Sequence, residues 1–294
     1  MLSSTHRAGF IALLGRPNAG KSTLFNALVG QELAMTSHKP QATREALVGI
    51  AHGAHYQAIY VDTPGQLTPQ YLLHQAMMQQ VHHAMLGADV LLWVADANAT
   101  TPDRYLLELL ATQKRPIFLV INKIDRLPPG ALPDRLRQWA KHVAPERIVP
   151  LSARYPEQLG KLQAMLCQHL PLHPAYYAPQ TLTDRPWHFF VAEQIRQALL
   201  THYDKEVPYS TQVSITRLVR HHAMVHIHAT LYVERPSQQA ILIGKAGKAL
   251  TRHGTTARKA LERLLGCRVF LAQQVQVRPQ WRTDAQSLRS FGLL

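Results

Sequence analysis

Apolar residues fall along this chain in two regimes. Through about residue 170 they come as short continuous runs: AGFIALL at 8–14, then Ala58–Val61, Val90–Ala95, Ile117–Ile121 and Arg147–Leu151. Runs of this length, bounded by Gly, Pro, Asn or Asp, predict buried strands. Between them lie stretches of helical periodicity, Ser22–Val29 and about 69–85, 102–113, 132–142 and 156–169. Strands alternating with helices predict parallel crossovers and a doubly wound, mostly parallel α/β sheet. TSHKPQATRE (36–45) is polar and aperiodic and predicts a loop.

The second regime starts after LPLHPAYYAPQTLTDRP (170–186), which holds four prolines and no periodic face. It reads as a linker. Then come a helix over about 187–203, alternating strands over 210–219 and 224–234, a short helix ending near Ile243, a glycine loop, a helix to about Leu265, and a strand at Arg268–Val277. That order is α-β-β-α-α-β. The expected domains are therefore 1–170 and 187–294, joined by 171–186.

Composition adds limits. At 294 residues with 46% hydrophobic content the chain can bury two cores. No apolar run reaches the roughly 18 residues that a membrane span needs, and the first residues lack the apolar core of a signal peptide. Cys167 and Cys267 are too few and too far apart for a disulfide framework or a zinc site, and suggest reduced thiols in a cytosolic protein. The 17 histidines are scattered and read as surface residues. Net charge is +14, and Arg235–Leu294 alone holds 11 Lys and Arg against 2 Asp and Glu. Such a block attracts phosphate backbones or anionic membranes; charge alone leaves both open.

Four motifs sit at strand ends. Gly15-Arg16-Pro17-Asn18-Ala19-Gly20-Lys21-Ser22, followed by Thr23, fits GxxxxGK(S/T) between a strand and a helix. Its backbone N–H groups and the helix N-terminus suit phosphates, Lys21 reaches the β- and γ-phosphates, and the Ser22 hydroxyl suits magnesium. Asp62-Thr63-Pro64-Gly65 ends the strand AIYVD; Asp62 suits magnesium through a water, and the Gly65 N–H suits the γ-phosphate. Asn122-Lys123-Ile124-Asp125 ends PIFLVI. A carboxylate there accepts both N–H groups of guanine, which adenine cannot offer, so the site implies GTP and GDP. Ser152-Ala153 in VPLSA would meet guanine O6 through the backbone. In the 36–45 loop Thr43 is the candidate second hydroxyl on magnesium, and Gln66, just after DTPG, is a candidate to orient the attacking water.

In the basic tail, Ile243-Gly244-Lys245-Ala246-Gly247-Lys248 lies between two helices. GxxG in an α-β-β-α-α-β order fits an α+β KH domain of type II, whose loop clamps an RNA backbone. Lys245 and Lys248 supply charge, and Ile241, Ile243 and Leu250 suit an apolar floor for bases. Ala246 should be tolerated, the outer glycines being the constrained positions.

Together GRPNAGKST, TSHKPQATR, YQAIYVDTPG, NKID, VPLSA, AYYAPQTLTDRP, KEVPYS, IGKAGKAL and VQVRPQWR resemble the Era family of bacterial GTPases over essentially the whole chain. The resemblance implies magnesium-dependent GTP hydrolysis, with Lys21, Thr43, Gly65 and Gln66 at the reacting phosphate. It implies binding of the 3′ region of 16S rRNA and help in assembling the small (30S) ribosomal subunit. It also implies a monomer in the cytoplasm, with peripheral contact to the inner membrane. Asn18 resembles an asparagine that helps bind potassium in such GTPases. Departures are Gln66 itself, Ala42 beside Thr43, and RYPEQLGKL after Ser152-Ala153, which lacks an early glycine and implies a base-contacting turn of different shape. A GTP-holding RNA chaperone with little turnover is the competing reading; the magnesium set Ser22, Thr43 and Asp62 speaks for the enzyme.

Overall fold

A computed structural model describes residues 5–99 and 101–294. The chain forms two compact units, one of residues 1–68 and 77–184 and the other of 69–76 and 185–294. The first four residues of the expected first domain lie outside the described part.

The first unit is built on a six-stranded sheet. Its strands are β1 (Arg7–Leu14), β2 (Leu47–His52), β3 (Tyr56–Asp62), β4 (Val90–Asp96), β5 (Ile117–Asn122) and β6 (Ile148–Pro150), in the order β2-β3-β1-β4-β5-β6. All neighbours are parallel except the β2–β3 pair. Ile11, Leu13, Tyr60, Leu92, Val94, Leu119 and Ile121 are fully or nearly fully buried. Inner strands of a parallel sheet are covered on both faces, and this is why they read as continuous apolar runs. The helices are α1 (Lys21–Val29), α2 (Leu72–Gly87), α3 (Arg104–Ala111), α4 (Leu132–Trp139) and α5 (Leu159–Gln168).

Strand β2 was not expected, because ALVGIA carries a glycine at its centre. Gly49 has a packing cause: a Cβ there would lie 2.4 Å from the Phe25 ring of α1. The proline-rich segment is also not a free linker, for its residues to Asp184 belong to the first unit. Arg7 forms a bridge with Leu172, the Ile50 N–H donates to the Leu182 carbonyl (2.9 Å), and Thr183 Oγ1 donates to the Val48 carbonyl (2.7 Å). Gln57, 1% exposed, accepts from the N–H groups of Tyr176 and Tyr177 (2.7 and 3.0 Å). Proline removes donors and periodicity, but the remaining backbone groups still find partners.

The second unit follows the expected order: α6 (Trp187–His202), β7 (Gln212–His221), β8 (Met224–Val233), α7 (Pro236–Ile243), α8 (Lys248–Leu265) and β9 (Arg268–Val277), closed by a short unexpected α9 (Ala285–Ser290). Strand order is β7-β8-β9, with β7–β8 antiparallel and β8–β9 parallel. Val225, Ile227, Ala229, Leu231 and Val233 alternate inward from β8 onto a core completed by Ile195 and Leu199 of α6, Leu242 of α7, and Ala257 and Leu261 of α8. Trp281 is fully buried, donates Nε1–H to the Ser210 carbonyl (2.9 Å) and meets Phe291 edge-on. Arg282 pairs with Glu234 and lies 4.8 Å over the Tyr71 ring, within the same unit. Both residues therefore pack the tail. No described helix is long and apolar enough to cross a membrane.

Candidate nucleotide and RNA sites

The ends of β1, β3 and β5 and the start of α1 surround a cleft of about 300 Å³. Ligands bind α/β sheets at the carboxyl ends of their strands, and this cleft lies there. It is lined by Pro17, Asn18, Gly20, Lys21, Ser22 and Thr23 of the first motif, and by Gly65, Asn122, Lys123, Asp125, Ser152 and Ala153 of the others. The 36–45 loop contributes Thr36, Ser37, His38, Gln41, Ala42 and Thr43, and Met35, Arg126 and Arg154 complete the wall.

Asn122 ties three motifs together. Its Nδ2 donates to the Ala19 carbonyl (2.9 Å), and its Oδ1 accepts from the N–H groups of Lys123 and Ala153 (both 2.9 Å). The fit is close. At Gly20, where φ is +96°, a Cβ would stand 2.2 Å from Asn122 Nδ2, so the phosphate loop tolerates only glycine. The backbone turns at Lys123 (φ 65°), whose ammonium bonds Asp96 (2.8 Å) and the Asn18 carbonyl. Asp125 follows in a single 3-10 turn and faces the cleft, while Ile124 does not line it. Ser152 N–H donates to Gln158 Oε1 (2.9 Å), and Tyr155 N–H donates to the Ser152 carbonyl (3.0 Å). These bonds close the turn for which the sequence lacks a glycine.

Ser22, Thr43 and Asp62 meet as expected. Ser22 Oγ donates to Asp62 Oδ2 (2.7 Å) and lies 3.1 Å from Thr43 Oγ1, which itself lies 3.4 Å from Asp62 Oδ2. Asp62 is fully buried and its Oδ1 has no partner. Burial pushes its carboxyl up to about 6, against the pull of Lys21, Ser22 and Thr43. Lys21 is 6% exposed and donates to the carbonyls of Gly15 (2.9 Å) and Arg16 (3.1 Å). Burial lowers its ammonium to about 8, opposed by Asp62. Three oxygens and an unsatisfied buried carboxylate suit a hard cation, and the buried ammonium suits a polyanion.

Other expected residues do not line the cleft. Arg16 pairs outward with Asp103 (2.8 Å), Thr63 donates its hydroxyl to the Leu13 carbonyl (2.5 Å), and Gly15, Ala19 and Pro64 form the buried frame. Gln66 corrects an expectation. It is 4% exposed, and its Oε1 accepts from the Gly15 N–H at 2.6 Å instead of facing the cleft. The Gly15 amide needs an acceptor there, and the side chain supplies it. Asn18, expected as a potassium ligand, donates Nδ2–H to the His38 carbonyl (2.8 Å). No motif marks the supporting bonds of Asp96 to Lys123 and of Gln158 to Ser152.

In the second unit Gly244, Lys245, Ala246 and Gly247 connect α7 to α8. Gly244 adopts φ 70°, ψ 176°, and a Cβ there would lie 2.6 Å from that of Ala249. Gly247 (φ 74°) and, against expectation, Ala246 (φ 52°) are also left-handed. The loop is thus tighter than two constrained glycines imply. Lys245 and Lys248 are exposed, Ile241 is half-exposed, Ile243 is partly buried, and Leu250 packs against the core.

Comparison with known proteins agrees with this geometry. Residues 10–123 match the family described as 50S ribosome-binding GTPase, and residues 206–282 match the KH domain. GTPase Era of Lactobacillus helveticus is 39% identical over 288 residues, covering 97% of this chain and 96% of that protein. GTPase Era of Staphylococcus haemolyticus is 36% identical, covering 98% of each. Two Era crystal structures superpose with TM-scores of 0.90 at 31% identity over 98% of this chain and 99% of theirs. One is an Aquifex aeolicus Era variant bound to GDP and AlF4−; the other is Era in complex with MgGDPNP and nucleotides 1506–1542 of 16S rRNA. At this identity over almost its whole length, this chain, with its phosphate loop, guanine motif and KH unit, belongs to the Era family of GTPases.

Proposed function

We propose that this chain is a magnesium-dependent GTP switch that binds the 3′ region of 16S rRNA and assists maturation of the 30S subunit. The observation that carries the reading is the convergence of Ser22, Thr43 and Asp62 on one point beside the buried Lys21. A protein that merely stored nucleotide would have no need for the 36–45 loop to supply an oxygen beside Asp62. Magnesium held there would neutralise charge on the β- and γ-phosphates, and the Lys21 ammonium would reach them once it leaves the Gly15 and Arg16 carbonyls. Asp125 gives guanine selectivity by accepting from two base N–H groups. The exposed Lys245 and Lys248 beside the strained loop suit an RNA backbone. The relative solved with 16S rRNA supports the choice of rRNA. We further propose that it works in the cytoplasm, where a ribosomal substrate would be met, and as a monomer.

Gln66 favours slow intrinsic turnover, since its side chain is engaged by Gly15. Asn18 is our candidate for a potassium site at the phosphates; equal hydrolysis rates in potassium and sodium salts would end that assignment. The central test is binding of an RNA with the 16S 3′-terminal sequence, with a scrambled RNA as control. Tighter binding with a non-hydrolysable GTP analogue than with GDP is expected. Equal binding in the two states, with turnover that RNA does not change, would instead identify a GTP-holding RNA chaperone.

A further inference from the structure

The KH sheet has two faces, and the helices α6, α7 and α8 cover only one. On the other face the cross-strand register places Val219 of β7 beside His226 of β8, and His226 beside Phe270 of β9. One row further, Arg217 stands beside His228. The Phe270 ring lies 5.3 Å from that of His226 and 6.5 Å from that of His228, and His221 lies 6.3 Å from His226. Phe270 is 49% exposed and Val219 42%. The tail covers only the far end of this face, where Phe291 packs on Tyr232 and Arg278 lies over both rings.

Charge on the open end has one sign. Arg217 and Arg268 are exposed there, and no Asp or Glu occurs in residues 207–233 or 263–283. Among the described residues no group of three or more His, Cys, Asp or Glu is placed to hold a metal ion.

We propose that this open face is a second RNA-binding surface, which stacks unpaired bases on Phe270 and its flanking imidazoles while Arg217 and Arg268 take the phosphates. Flat rings standing out of a sheet with basic residues around them match what single-stranded nucleic acid offers: a π-face on every base and a charge on every linkage. An anionic membrane fits less well. It rewards an amphipathic helix with apolar anchors, and this face is a sheet whose other β8 and β9 residues are mostly small or polar, Thr230, Ala272, Gln274 and Gln276, with Met224 beside Arg268. The surface lies on the opposite layer from the Gly244–Gly247 loop, so one RNA could meet both only by passing around the sheet edge. The proposal rests on the RNA-binding reading above but uses none of the loop residues.

The test measures binding of the full chain, loaded with a non-hydrolysable GTP analogue, to an RNA of 16S nucleotides 1506–1542 and to its scrambled control. Phe270→Ala should weaken binding about tenfold, and Phe270→Tyr should restore it. Arg217→Gln with Arg268→Gln should reduce the slope of log affinity against log salt by about 1.4, the single-strand value for two phosphate contacts. RNA carrying 4-thiouridine should crosslink to the Arg268–Val277 strand. Lys245→Gln with Lys248→Gln reports the loop site separately. If that pair weakens binding while Phe270→Ala and the arginine pair do not, the sheet face is no RNA site and the loop reading stands. If wild type does not prefer the true sequence, the 16S reading falls; the face is then judged on the scrambled RNA, and no effect of Phe270→Ala there overturns it. Loss of binding to phosphatidylglycerol vesicles in the sheet variants, with RNA binding intact, would overturn it in favour of a membrane.

Discussion

Replacing Asn122 by Ala should loosen three loops at once. The substitution leaves the Ala19 carbonyl and the Ala153 N–H without their partners in a buried setting, and removes the acceptor of the Lys123 N–H. A buried polar group left unpaired costs about 1–3 kcal/mol, so two of them cost about 2–6 kcal/mol if the loops stay in place. Loops that instead open in the free protein must be reordered by the nucleotide. Either way GDP affinity should fall, by about 100-fold for 3 kcal/mol. The assay is the dissociation constant of a fluorescent GDP analogue, with urea melts of the nucleotide-free proteins alongside. A double-mutant cycle sharpens the test. Gly20→Ala suffers both from its positive φ and from the 2.2 Å approach of its Cβ to Asn122 Nδ2. Asn122→Ala removes the second burden, so the double variant should be less impaired than the sum of the singles by about 1 kcal/mol or more. A change below threefold in Asn122→Ala, or strict additivity in the cycle, would refute the claim that this side chain locks the phosphate and base loops to each other.

Three further outcomes follow from the same geometry. Asp62→Asn should stabilise the magnesium-free, nucleotide-free protein at pH 8 by about 3 kcal/mol, because the carboxyl titrates near 6 when folded and near 3.9 when unfolded. An acid with a raised folded value costs nothing below about pH 4 and its full penalty above about pH 6, so the gain should vanish in melts at pH 4, while magnesium-dependent nucleotide binding is lost at every pH. Gly244→Ala should destabilise the second unit by about 2 kcal/mol in urea melts, since its φ and ψ are open only to glycine and Ala249 is in the way; Ala246→Gly should stay within about 0.5 kcal/mol, relief of its left-handed backbone offsetting the added freedom of the unfolded chain. Trp281→Ala should cost about 3–5 kcal/mol in the same melts, whereas Trp281→Phe, which keeps most of the packing, should leave RNA affinity unchanged because the ring is buried.

Legibility followed periodicity. The five parallel strands of the first unit and the β8, β9 and α8 elements of the second stand out because burial on both faces, or on one, writes an unbroken or regularly spaced apolar pattern. Strand β2 was obscured by Gly49, whose identity answers to Phe25 on a helix 24 residues earlier, a fact no local window contains. The proline-rich segment looks like a tether in sequence, since a chain held by backbone and side-chain hydrogen bonds needs no apolar face. Motifs put Lys21, Ser22, Asp62 and Asp125 at or just after strand ends, and there the structure has them, because nucleotide-binding chemistry uses those residue types at strand ends. They did not say where a side chain points. Gln66 and Ala246 show this: one bonds the phosphate loop from beneath, the other adopts a backbone turn that glycine usually takes.

The segment bound along β2 bears on how the protein can be divided. β2 is the outermost strand of its sheet, and an unpaired edge invites pairing with another chain. Leu182 and Thr183 occupy that edge by bonding Ile50 and Val48. A fragment cut at residue 170, where the prolines begin, would bare those groups together with the pocket of Gln57 for Tyr176 and Tyr177. Such a fragment should self-associate, whereas one ending after Asp184 carries its own edge cover and should remain dispersed.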